Sequence, residues 1–509
     1  MLIKTVTSSE MRAIETNAEY YGMSLLQLME AAGKNVADEI ASRFKANKTK
    51  VTIFCGSGGN GGDGFVAARY LVCFGFKVEI ILATRASNIV HESAKHNWLA
   101  LQPLQNLIKI TEIKDSTLIP DIKADVVVDA MLGIGSKGKL RPPILQLVTK
   151  INEMDAFCVA IDVPTGVDSD TGEILGTAVK ADLTVTFYKA KPGLELAKEF
   201  AGEVAVKNIG VPQELEQFAG PGDVTFAVKP RLPKAHKGEL GRLLVIGGSK
   251  TFSGAPALAA LAALRTGVDI ATIAAPEKTA TAISAMSAAL ITIKLKGKHL
   301  STNNLDAIKE QIDSATTVVL GPGLGLHAET KQAVNEIIEY AEKTGKTLLL
   351  DADGLKAFGE FRRKLSCPLV LTPHAREYEI LTGTKLPNNL DEKIKHVKNS
   401  AKELEATILL KGPVDIVSDG KYTKLNFTGN QGMTVGGTGD VLSGVVGGLL
   451  AMGADPFCAA VAGAFVNGAA GDFVAVEKGF HMLATDLLDW IPHVIDDPMS
   501  HLEVRTNQL

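Results

Sequence analysis

A glycine-rich stretch at residues 56–65, GSGGNGGDGF, is the first part of the chain whose residue types point to chemistry. It follows a β-branched run and leads into a helix that we predict to begin near Asp63. Backbone amides at a helix N-terminus attract anionic groups such as a pyrophosphate, and glycines leave those amides accessible. Because the stretch lies at the carboxyl end of a strand, a ligand site is favoured over a flexible glycine turn without a ligand.

Two further predicted strands end in carboxylates, Asp129 in VVVDAMLGIGSKGK and Asp162 in VAIDVPTGVD. We expect both to project into one crevice beside Asn60, because the carboxyl ends of parallel strands share an edge of the sheet. The alternative is that each Asp only caps the helix or turn that follows it.

The stretch GGTGDVLSGVVGGLL at 436–450 carries the strongest chemical pattern. A glycine turn brings Asp440 to the start of an apolar helix, so free amides and a carboxylate share one loop. The amides would stabilise charge on a transferring phosphoryl group, and Asp440 would take the proton of an attacking hydroxyl. The alternative is an Asp that caps a buried helix.

The elements that position these residues follow an α/β alternation. Short β-branched runs separated by helical patterns predict a largely parallel sheet covered by helices. In the first half they lie at 50–56, 77–82, 124–132, 157–164, 181–187 and 203–212.

A Gly/Pro-punctuated stretch from 220 to 238 then interrupts the pattern, and we place a domain boundary near 215. The predicted domains are 1–215 and 222–509. The alternation restarts at 242–249, 270–276, 316–323, 347–354, 368–374 and 406–418. Asp419-Gly420 predicts a tight hairpin at the end of this second α/β domain.

Composition excludes several classes of protein. The 509 residues are 46% hydrophobic and 22% charged, with a net charge of -4 and no dense Lys/Arg stripe, so nucleic acid is an unexpected partner. Five scattered cysteines without a CxxC pair argue against a disulfide framework or zinc site and indicate a reducing compartment. The N-terminus lacks an apolar signal region, and the apolar run at 441–454 is shorter than the about 20 residues a membrane span needs. We therefore expect a cytoplasmic protein without a membrane segment.

The first half resembles the NAD(P)H-hydrate epimerase family, which interconverts R and S hydrates at C6 of the reduced nicotinamide ring. The resemblance implies a Rossmann-like three-layer α/β/α domain. It rests on LMEAAGKNVA (28–37), GNGGDGFVAARYL (59–71), DAMLGIG (129–135), IDVPTGVD (161–168) and TFYKAKPGL (186–194).

The epimerase resemblance also implies site residues. It implies a potassium ion on Asn60, Asp129 and Thr165. The substrate residues it implies are Asn60, Gly61, Gly62, Asp63, Gly64, Gly133, Ile134, Gly135, Ser136, Lys137, Gly138, Lys139 and Asp162.

Epimerisation needs a group that exchanges a proton as the hydrate opens and closes again, and Asp162 is the first candidate. Lys137 would supply positive charge to a phosphate or hydroxyl; the alternative is a solvated loop lysine.

The second half resembles the ribokinase-like superfamily, in particular its branch of NAD(P)H-hydrate dehydratases. The matching stretches are 236–267, VLGPGLG (319–325), LDADGL (350–355), LTPHAREYEIL (371–381), LKGPVDIV (410–417) and the Asp440 motif. By this resemblance Ala255, Gly323, His374 and Asp440 contact the hydrate. The nucleotide contacts it implies are Lys411, Gly412, Pro413, Val414, Asp415 and Gly439.

His374 is the least secure of these residues, because an isolated histidine at a strand end more often bonds to backbone. The family often has Pro-Gly-Glu after this histidine, whereas this chain has Ala375, Arg376 and Glu377. The local backbone is therefore expected to differ.

The chemistry that the resemblance implies is phosphorylation of the C6 hydroxyl, so that phosphate leaves in place of hydroxide. Asp440 would activate the hydroxyl, with Mg²⁺ on the nucleotide phosphates. An epimerase fused to a dehydratase indicates ADP as the donor, giving AMP and phosphate. The hydrates of NADH and NADPH are both expected substrates, and the family also implies a homo-oligomer.

Two alternatives remain at this point. One is a ribokinase-like kinase of a small alcohol or vitamin precursor with an accessory nucleotide-binding domain. The other is a nucleotide sensor or scaffold without catalysis, against which both Asp162 and Asp440 argue.

Overall fold

The computed structural model describes residues 5–115, 117, 119–231, 233–234 and 236–505. The first four residues of the N-terminal stretch and positions 232 and 235 of the predicted linker lie outside the described residues. The chain divides into two compact units, 1–212 and 213–509, and each is described by itself.

The described part of the first unit is built on a seven-stranded sheet in the order β3-β2-β1-β4-β5-β6-β7, and all its neighbouring strands pair in parallel. The central strands are almost entirely buried, as expected for a parallel sheet covered on both faces. The strands are β1 (Lys50–Cys55), β2 (Lys77–Leu82), β3 (Ile108–Glu112), β4 (Val126–Ala130), β5 (Phe157–Ile161), β6 (Leu183–Phe187) and β7 (Glu203–Lys207).

The helices of the first unit begin with a helix that is capped at its N-terminus. Thr7 caps it, and the Glu10 side chain bonds back to the Thr7 amide in a capping box. The helices are α1 (Ser8–Tyr20), α2 (Leu25–Arg43), α3 (Gly59–Cys73), α4 (Glu92–Leu101), α5 (Ile144–Asn152), α6 (Pro192–Leu196) and α7 (Lys198–Ala201).

The second unit contains, in its described residues, a nine-stranded sheet in the order β10-β9-β8-β11-β12-β13-β14-β15-β16. The pairs from β10 to β14 are parallel, and β14, β15 and β16 are antiparallel, which confirms the predicted hairpin. The strands are β8 (Arg242–Ile246), β9 (Ile270–Pro276), β10 (Ile291–Leu295), β11 (Thr317–Leu320), β12 (Thr347–Leu350), β13 (Leu369–Leu371), β14 (Thr407–Leu410), β15 (Asp415–Ser418) and β16 (Thr423–Asn426).

The helices of the second unit are α8 (Pro221–Ala227), α9 (Gly254–Thr266), α10 (Glu277–Ser284), α11 (Leu305–Ser314), α12 (Ala328–Lys343), α13 (Ala352–Glu360), α14 (Ala375–Thr382), α15 (Leu390–Leu404), α16 (Thr438–Ala451), α17 (Pro456–Lys478), α18 (Leu487–Asp496) and α19 (His501–Arg505). Among the described residues one helix, α17, has the length and hydropathy of a membrane span. Because 89% of its most apolar window is buried inside the fold, this is also the pattern of a core helix.

The segment between the two predicted domains packs onto the second unit. Phe218 forms a parallel bridge with Leu425 of β16, and the Ala219 amide donates to the Leu425 carbonyl over 2.8 Å. These contacts explain why the division between the units falls before Gln213.

The predicted α/β class is confirmed in both units. One local expectation is wrong: α3 begins at Gly59, four residues before Asp63. The glycines therefore form the first turns of the helix, because close packing against the sheet outweighs their low helix propensity.

Candidate active sites

A cavity of about 680 Å³ opens in the first unit at the carboxyl ends of β1 and β4. The strand order reverses between these two neighbours, so the connections that follow them diverge and leave a crevice. Residues 56–60 line one side of the cavity and residues 131–136 another.

The cavity gathers about half of the predicted epimerase residues. Those outside its lining are either buried in packing or lie farther along the loop. In the lining are Asn60, Asp63, Gly133, Ile134, Gly135, Ser136 and Asp162; outside it are Gly61, Gly62, Gly64, Lys137, Gly138 and Lys139.

Three glycines of α3 are required by packing. A Cβ on Gly61 would lie 2.1 Å from the Gly56 carbonyl oxygen, and one on Gly62 would lie 2.5 Å from the Met29 sulfur. A Cβ on Gly64 would lie 2.8 Å from both the Ala130 Cβ and the Cys55 Sγ. These glycines let α3 approach the sheet and α2 closely, whereas a Cβ on Gly58 would meet nothing within 4 Å.

Asp162 stands directly after β5 with a positive φ of 65°, a conformation that is costly for a residue other than glycine. Its carboxylate accepts hydrogen bonds from Thr186 Oγ1 at 3.0 Å and from Lys191 Nζ. The Lys191 side chain is 1% exposed, and it also donates to the Phe187 carbonyl at 3.1 Å. The ion pair thus fixes the Asp162 carboxylate at the cavity wall.

Two more carboxyls, Glu15 and Asp63, line the same cavity. Burial and the negative charge of Asp162 raise the pKa of Glu15 to about 7, although Lys191 and Arg12 oppose the shift. Burial, Asp162 and Glu15 likewise raise the pKa of Asp63. Three acids therefore share one buried lysine, and burial and like charge oppose the ionisation of Glu15 and Asp63.

Asp129 lies beneath the cavity wall and is fully buried. Its carboxylate accepts from the Thr165 amide and hydroxyl, each at 2.7 Å, and from the Met131 amide at 3.2 Å. The Thr165 hydroxyl accepts in turn from the Leu132 amide at 3.0 Å. Burial raises the pKa of Asp129 to about 6 despite these donors. Asp129 therefore accepts a hydrogen bond from the turn that follows its strand, as the capping alternative predicts, and it also contacts Thr165.

Asn60 faces the loop that carries Leu132. A Cβ on Gly133 would lie 3.3 Å from the Asn60 side-chain oxygen, so the two residues are neighbours. The Asn60 Nδ2 is buried, and no described residue gives it a hydrogen-bond partner.

Sequence reasoning missed Lys191 and Glu15. Lys191 lies in the quoted stretch TFYKAKPGL, and its partnership with Asp162 was not visible because the two are 29 positions apart. Glu15 belongs to α1 and follows no strand, so the strand-end pattern could not find it.

In the second unit, Asp440 lies in the first turn of α16, after Gly437, whose φ is 103°. Burial and the charges of Asp351 and Glu377 raise the pKa of Asp440 to about 7, and Lys411 opposes the shift. No hydrogen bond from the described residues reaches its carboxylate. Asp440 is thus a free carboxyl that titrates near neutrality, as a general base requires.

Lys411 and Asp351 form an ion pair of 3.0 Å beside this helix. Asp351 is 2% exposed and also accepts from Thr372 at 2.9 Å and from Ser443 of α16 at 2.6 Å. The Asp351 carboxylate therefore connects the carboxyl ends of β12, β13 and β14 with α16 through these hydrogen bonds.

Five of the six predicted nucleotide residues, 411–415, lie in the turn between β14 and β15 and at the start of β15. The Asp415 carboxylate accepts from the Gly412 amide at 3.0 Å and from Asn426 at 3.1 Å, and burial raises its pKa to about 6. A Cβ on Gly439 would lie 3.4 Å from Lys411 Nζ, so this turn meets the start of α16. Pro413 and Val414 lie between the two ends of the turn.

His374 caps α14 through its ring. Nδ1 accepts from the amides of Arg376 and Glu377 at 3.1 and 3.3 Å, which is the backbone role weighed from the sequence. Its Nε2 lies 3.4 Å from Glu377, and the side chain is 52% exposed. Both ring nitrogens therefore have partners within α14, and Glu377 completes a capping box without the usual Pro-Gly.

Ala255 and Gly323 are neighbours at the place where β8 and β11 diverge. A Cβ on Gly323, whose φ is 66°, would lie 3.5 Å from the Ala255 Cβ. Gly437 packs against α9, the helix that carries Ala255, because a Cβ on Gly437 would lie 2.8 Å from Leu258 of that helix.

Two buried carboxyls of this site, Asp351 and Glu377, were not singled out from the sequence. Asp351 directly follows β12, so the strand-end pattern that found Asp129 and Asp162 would have found it too. Glu377 is 4% exposed and has no comparable signal.

Comparisons with known proteins place both units in described families. Residues 25–193 match the model for the YjeF-related protein N-terminus, and residues 243–493 match the model for NAD(P)H-hydrate dehydratase. A bifunctional NAD(P)H-hydrate repair enzyme of Hyperthermus butylicus is 42% identical over 97% of this chain and 93% of its own length. A protein of the same name from Pyrobaculum aerophilum is 44% identical over 97% of this chain and 98% of its own length.

Among solved structures, an ADP/ATP-dependent NAD(P)H-hydrate dehydratase from Bacillus subtilis, co-crystallised with ATP and Mg²⁺, is 26% identical with a TM-score of 0.48. It covers 55% of this chain and 98% of its own. A ribokinase-like superfamily protein from Enterococcus faecalis is 24% identical with a TM-score of 0.49, over 55% of this chain and 95% of its own.

Proposed function

The chain belongs to the bifunctional NAD(P)H-hydrate repair enzymes, and from this premise we propose that each unit carries one of two consecutive reactions. The first unit interconverts the R and S hydrates at C6 of the reduced nicotinamide ring. The second unit dehydrates the S form back to NADH or NADPH, with ADP as phosphoryl donor. Relatives that match over the whole chain favour this proposal over a kinase of a small alcohol.

The Asp162 carboxylate carries the proposal for the first unit. It lies at the cavity wall, and Lys191 and Thr186 hold it in place, so it is positioned to accept the proton of the C6 hydroxyl. The glycine-rich start of α3 leaves backbone amides at the cavity, where the pyrophosphate of the substrate would bind.

The residues proposed for potassium fit a cation in their chemistry. Asp129 is a fully buried carboxylate without a basic partner among the described residues, and Asn60 has a buried amide group without a hydrogen bond. Rotation of that amide would turn its oxygen to the same place. Asn60, Asp129 and Thr165 would hold the ion, whose charge would stabilise the ionised form of Asp129.

In the second unit, Asp440 accepts the C6 hydroxyl proton as the hydroxyl oxygen attacks the β-phosphorus of ADP. The bond to the bridging oxygen breaks, and AMP leaves. The C6–O bond of the phosphoester then breaks with loss of phosphate, a C5 proton is lost, and the C5–C6 double bond forms. The amides at the start of α16 lie where charge develops on the phosphoryl oxygens.

Nucleotide and magnesium bind, in this proposal, at the turn from Lys411 to Asp415 and the start of α16. The carboxylate oxygens of Asp351 and Glu377 are the hard donors that magnesium prefers, and the Lys411 ammonium lies 3.0 Å from Asp351. When bound there, magnesium would neutralise negative charge on the phosphates during the phosphoryl transfer.

We further place the reaction in the cytoplasm and expect a homo-oligomer. All five cysteines are free thiols, as in a reducing compartment. Light scattering coupled to size-exclusion chromatography measures the assembly state directly.

The donor and the potassium ion are tested with separated hydrates. Pure S hydrate is incubated with Mg²⁺ and either ADP or ATP, and nicotinamide absorbance and AMP are measured. We expect recovery with ADP and one AMP per NAD(P)H formed.

Pure R hydrate is then followed in potassium or tetramethylammonium buffer, and conversion to S should require potassium. Recovery with ATP alone, or equal epimerisation in both buffers, contradicts the respective assignment.

A further inference from the structure

We propose that Glu15 of α1 is the second proton-transfer residue of the first unit, acting together with Asp162. The inference rests on the proposed epimerase function and adds to it a residue that lies before the segment matched by the family model, 25–193.

Glu15 is positioned by a helix that is fixed at its start. The Ser8 amide and hydroxyl donate to the Asp170 carboxylate at 2.7 and 2.6 Å, and Thr5 forms a parallel bridge with Ala190. Met11, Arg12 and Glu15 then line the cavity together, as residues three and four positions apart share a helix face.

Glu15 and Asp162 differ in their hydrogen-bond partners, and this difference suits them to different roles in proton transfer. Asp162 accepts hydrogen bonds from Lys191 and Thr186. Glu15 receives no hydrogen bond from the described residues. Burial and the charge of Asp162 raise its pKa to about 7, with Lys191 and Arg12 opposing. Asp63, whose pKa is also raised, is the remaining acid that faces this pair.

Ring opening of the hydrate needs such a pair. The C6–N1 bond breaks and leaves its electron pair on N1, the hydroxyl proton passes to a carboxylate, and an aldehyde forms at C6. N1 must gain a proton in the same event. Asp162 accepts the hydroxyl proton, and Glu15 donates to N1. Rotation of the aldehyde presents its other face, both protons return, and the ring closes with inverted C6.

The test measures R-to-S conversion by the full-length protein from pH 5.5 to 9, above the rate without protein. The variants are Glu15→Gln, Glu15→Asp and Glu19→Gln, the last a matched control on the same helix that is absent from the cavity lining. We expect Glu15→Gln to lower kcat by about 10²-fold or more. The wild-type rate should fall as the pH rises through about 7, because Glu15 then loses its proton. That alkaline limb should be absent in Glu15→Gln, displaced in Glu15→Asp and unchanged in Glu19→Gln.

Dehydration of S hydrate by the same samples serves as an internal control for folded protein. If Glu15→Gln lowers the dehydration rate or shows no melting transition, the substitution has impaired folding. The pH profile of Glu15→Asp then tests the inference. A Glu15→Gln enzyme with wild-type kcat and an unchanged alkaline limb overturns the inference, as does a loss confined to KM. If the wild-type protein itself does not convert R to S, the proposed epimerase function fails, and the two failures are thus distinct.

Discussion

Asp440 and Asp162 are the carboxylates proposed to accept a proton in the two units, yet their neighbours give them different properties. Asp162 has a buried lysine partner and stays fixed at the wall of its cavity. Asp440 has no hydrogen-bond partner among the described residues, and nearby acids raise its pKa to about 7. A carboxyl whose ionised form is destabilised by its surroundings is a suitable proton acceptor. The same destabilisation lowers the stability of the folded protein.

Asp440→Asn should therefore abolish dehydration and stabilise the protein in a pH-dependent way. We expect the dehydratase rate to fall by about 10²-fold to 10⁴-fold. The folded-state pKa of about 7 lies above the ordinary value of 3.8, so the native state binds more protons and stability falls as the pH rises between these two values. The variant lacks this loss and should gain about 1–3 kcal/mol at pH 8 and much less at pH 5.

Thermal unfolding at pH 5 and pH 8 checks this expectation. Asp496→Asn removes an exposed carboxyl at the end of α18 and should show no comparable change between the two pH values. An Asp440→Asn variant that is less stable than wild type at pH 8 would contradict the strained environment assigned to Asp440.

At the residue scale, the sequence identified carboxylates that follow strands or glycine turns, namely Asp129, Asp162 and Asp440. It could not supply their partners, because Lys191 and Lys411 approach them from distant positions along the chain. Burial and shifted pKa values depend on these three-dimensional neighbours, so they are not encoded in any local pattern.

At the scale of elements, helix α16 carries Asp440, and its position depends on a close contact with α9. A Cβ on Gly444 would lie 2.1 Å from the Ala259 carbonyl oxygen and 2.7 Å from the Ala262 Cβ. Such distances are too short for real contacts, so α16 would have to move. The glycines of the quoted motif therefore serve helix packing as well as the loop at its start.

Gly444→Ala should destabilise the second unit by about 1–3 kcal/mol, because overpacking outweighs the better helix propensity of alanine. Dehydratase activity should fall with it, since Asp440 is displaced. The matched control is Gly254→Ala at the start of α9, where a Cβ would meet nothing within 4 Å and stability should hold or improve. Equal unfolding temperatures for both variants would contradict this packing.

Most elements could be predicted, and those that were missed have physical reasons. β3 and β10 are edge strands of their sheets and are only partly buried, so their sequences lack a continuous apolar run. α17 is apolar on nearly all sides because it is buried on all sides, so it shows little helical periodicity. The predicted start of α3 differs from the observed one because glycines are typical of loops, whereas in α3 close packing requires them.

At the scale of the whole molecule, each of the two compact α/β units carries its own candidate carboxylate, Asp162 in the first and Asp440 in the second. The first unit supplies stereochemical equilibration, and the second consumes one stereoisomer. Fusing the two makes the whole hydrate pool available to a stereospecific dehydratase. The account therefore requires that either activity can be removed without the other.

Repair of an R/S hydrate mixture by three full-length proteins tests this requirement most directly. The mixture is incubated with ADP, Mg²⁺ and K⁺ over a time in which R and S do not interconvert without protein, and absorbance is followed. The wild-type protein should recover all the reduced nicotinamide, Asp162→Asn should stop when the S fraction is exhausted, and Asp440→Asn should recover none. Wild-type recovery that stops at the S fraction, or complete recovery by Asp162→Asn at the wild-type rate, would contradict the account.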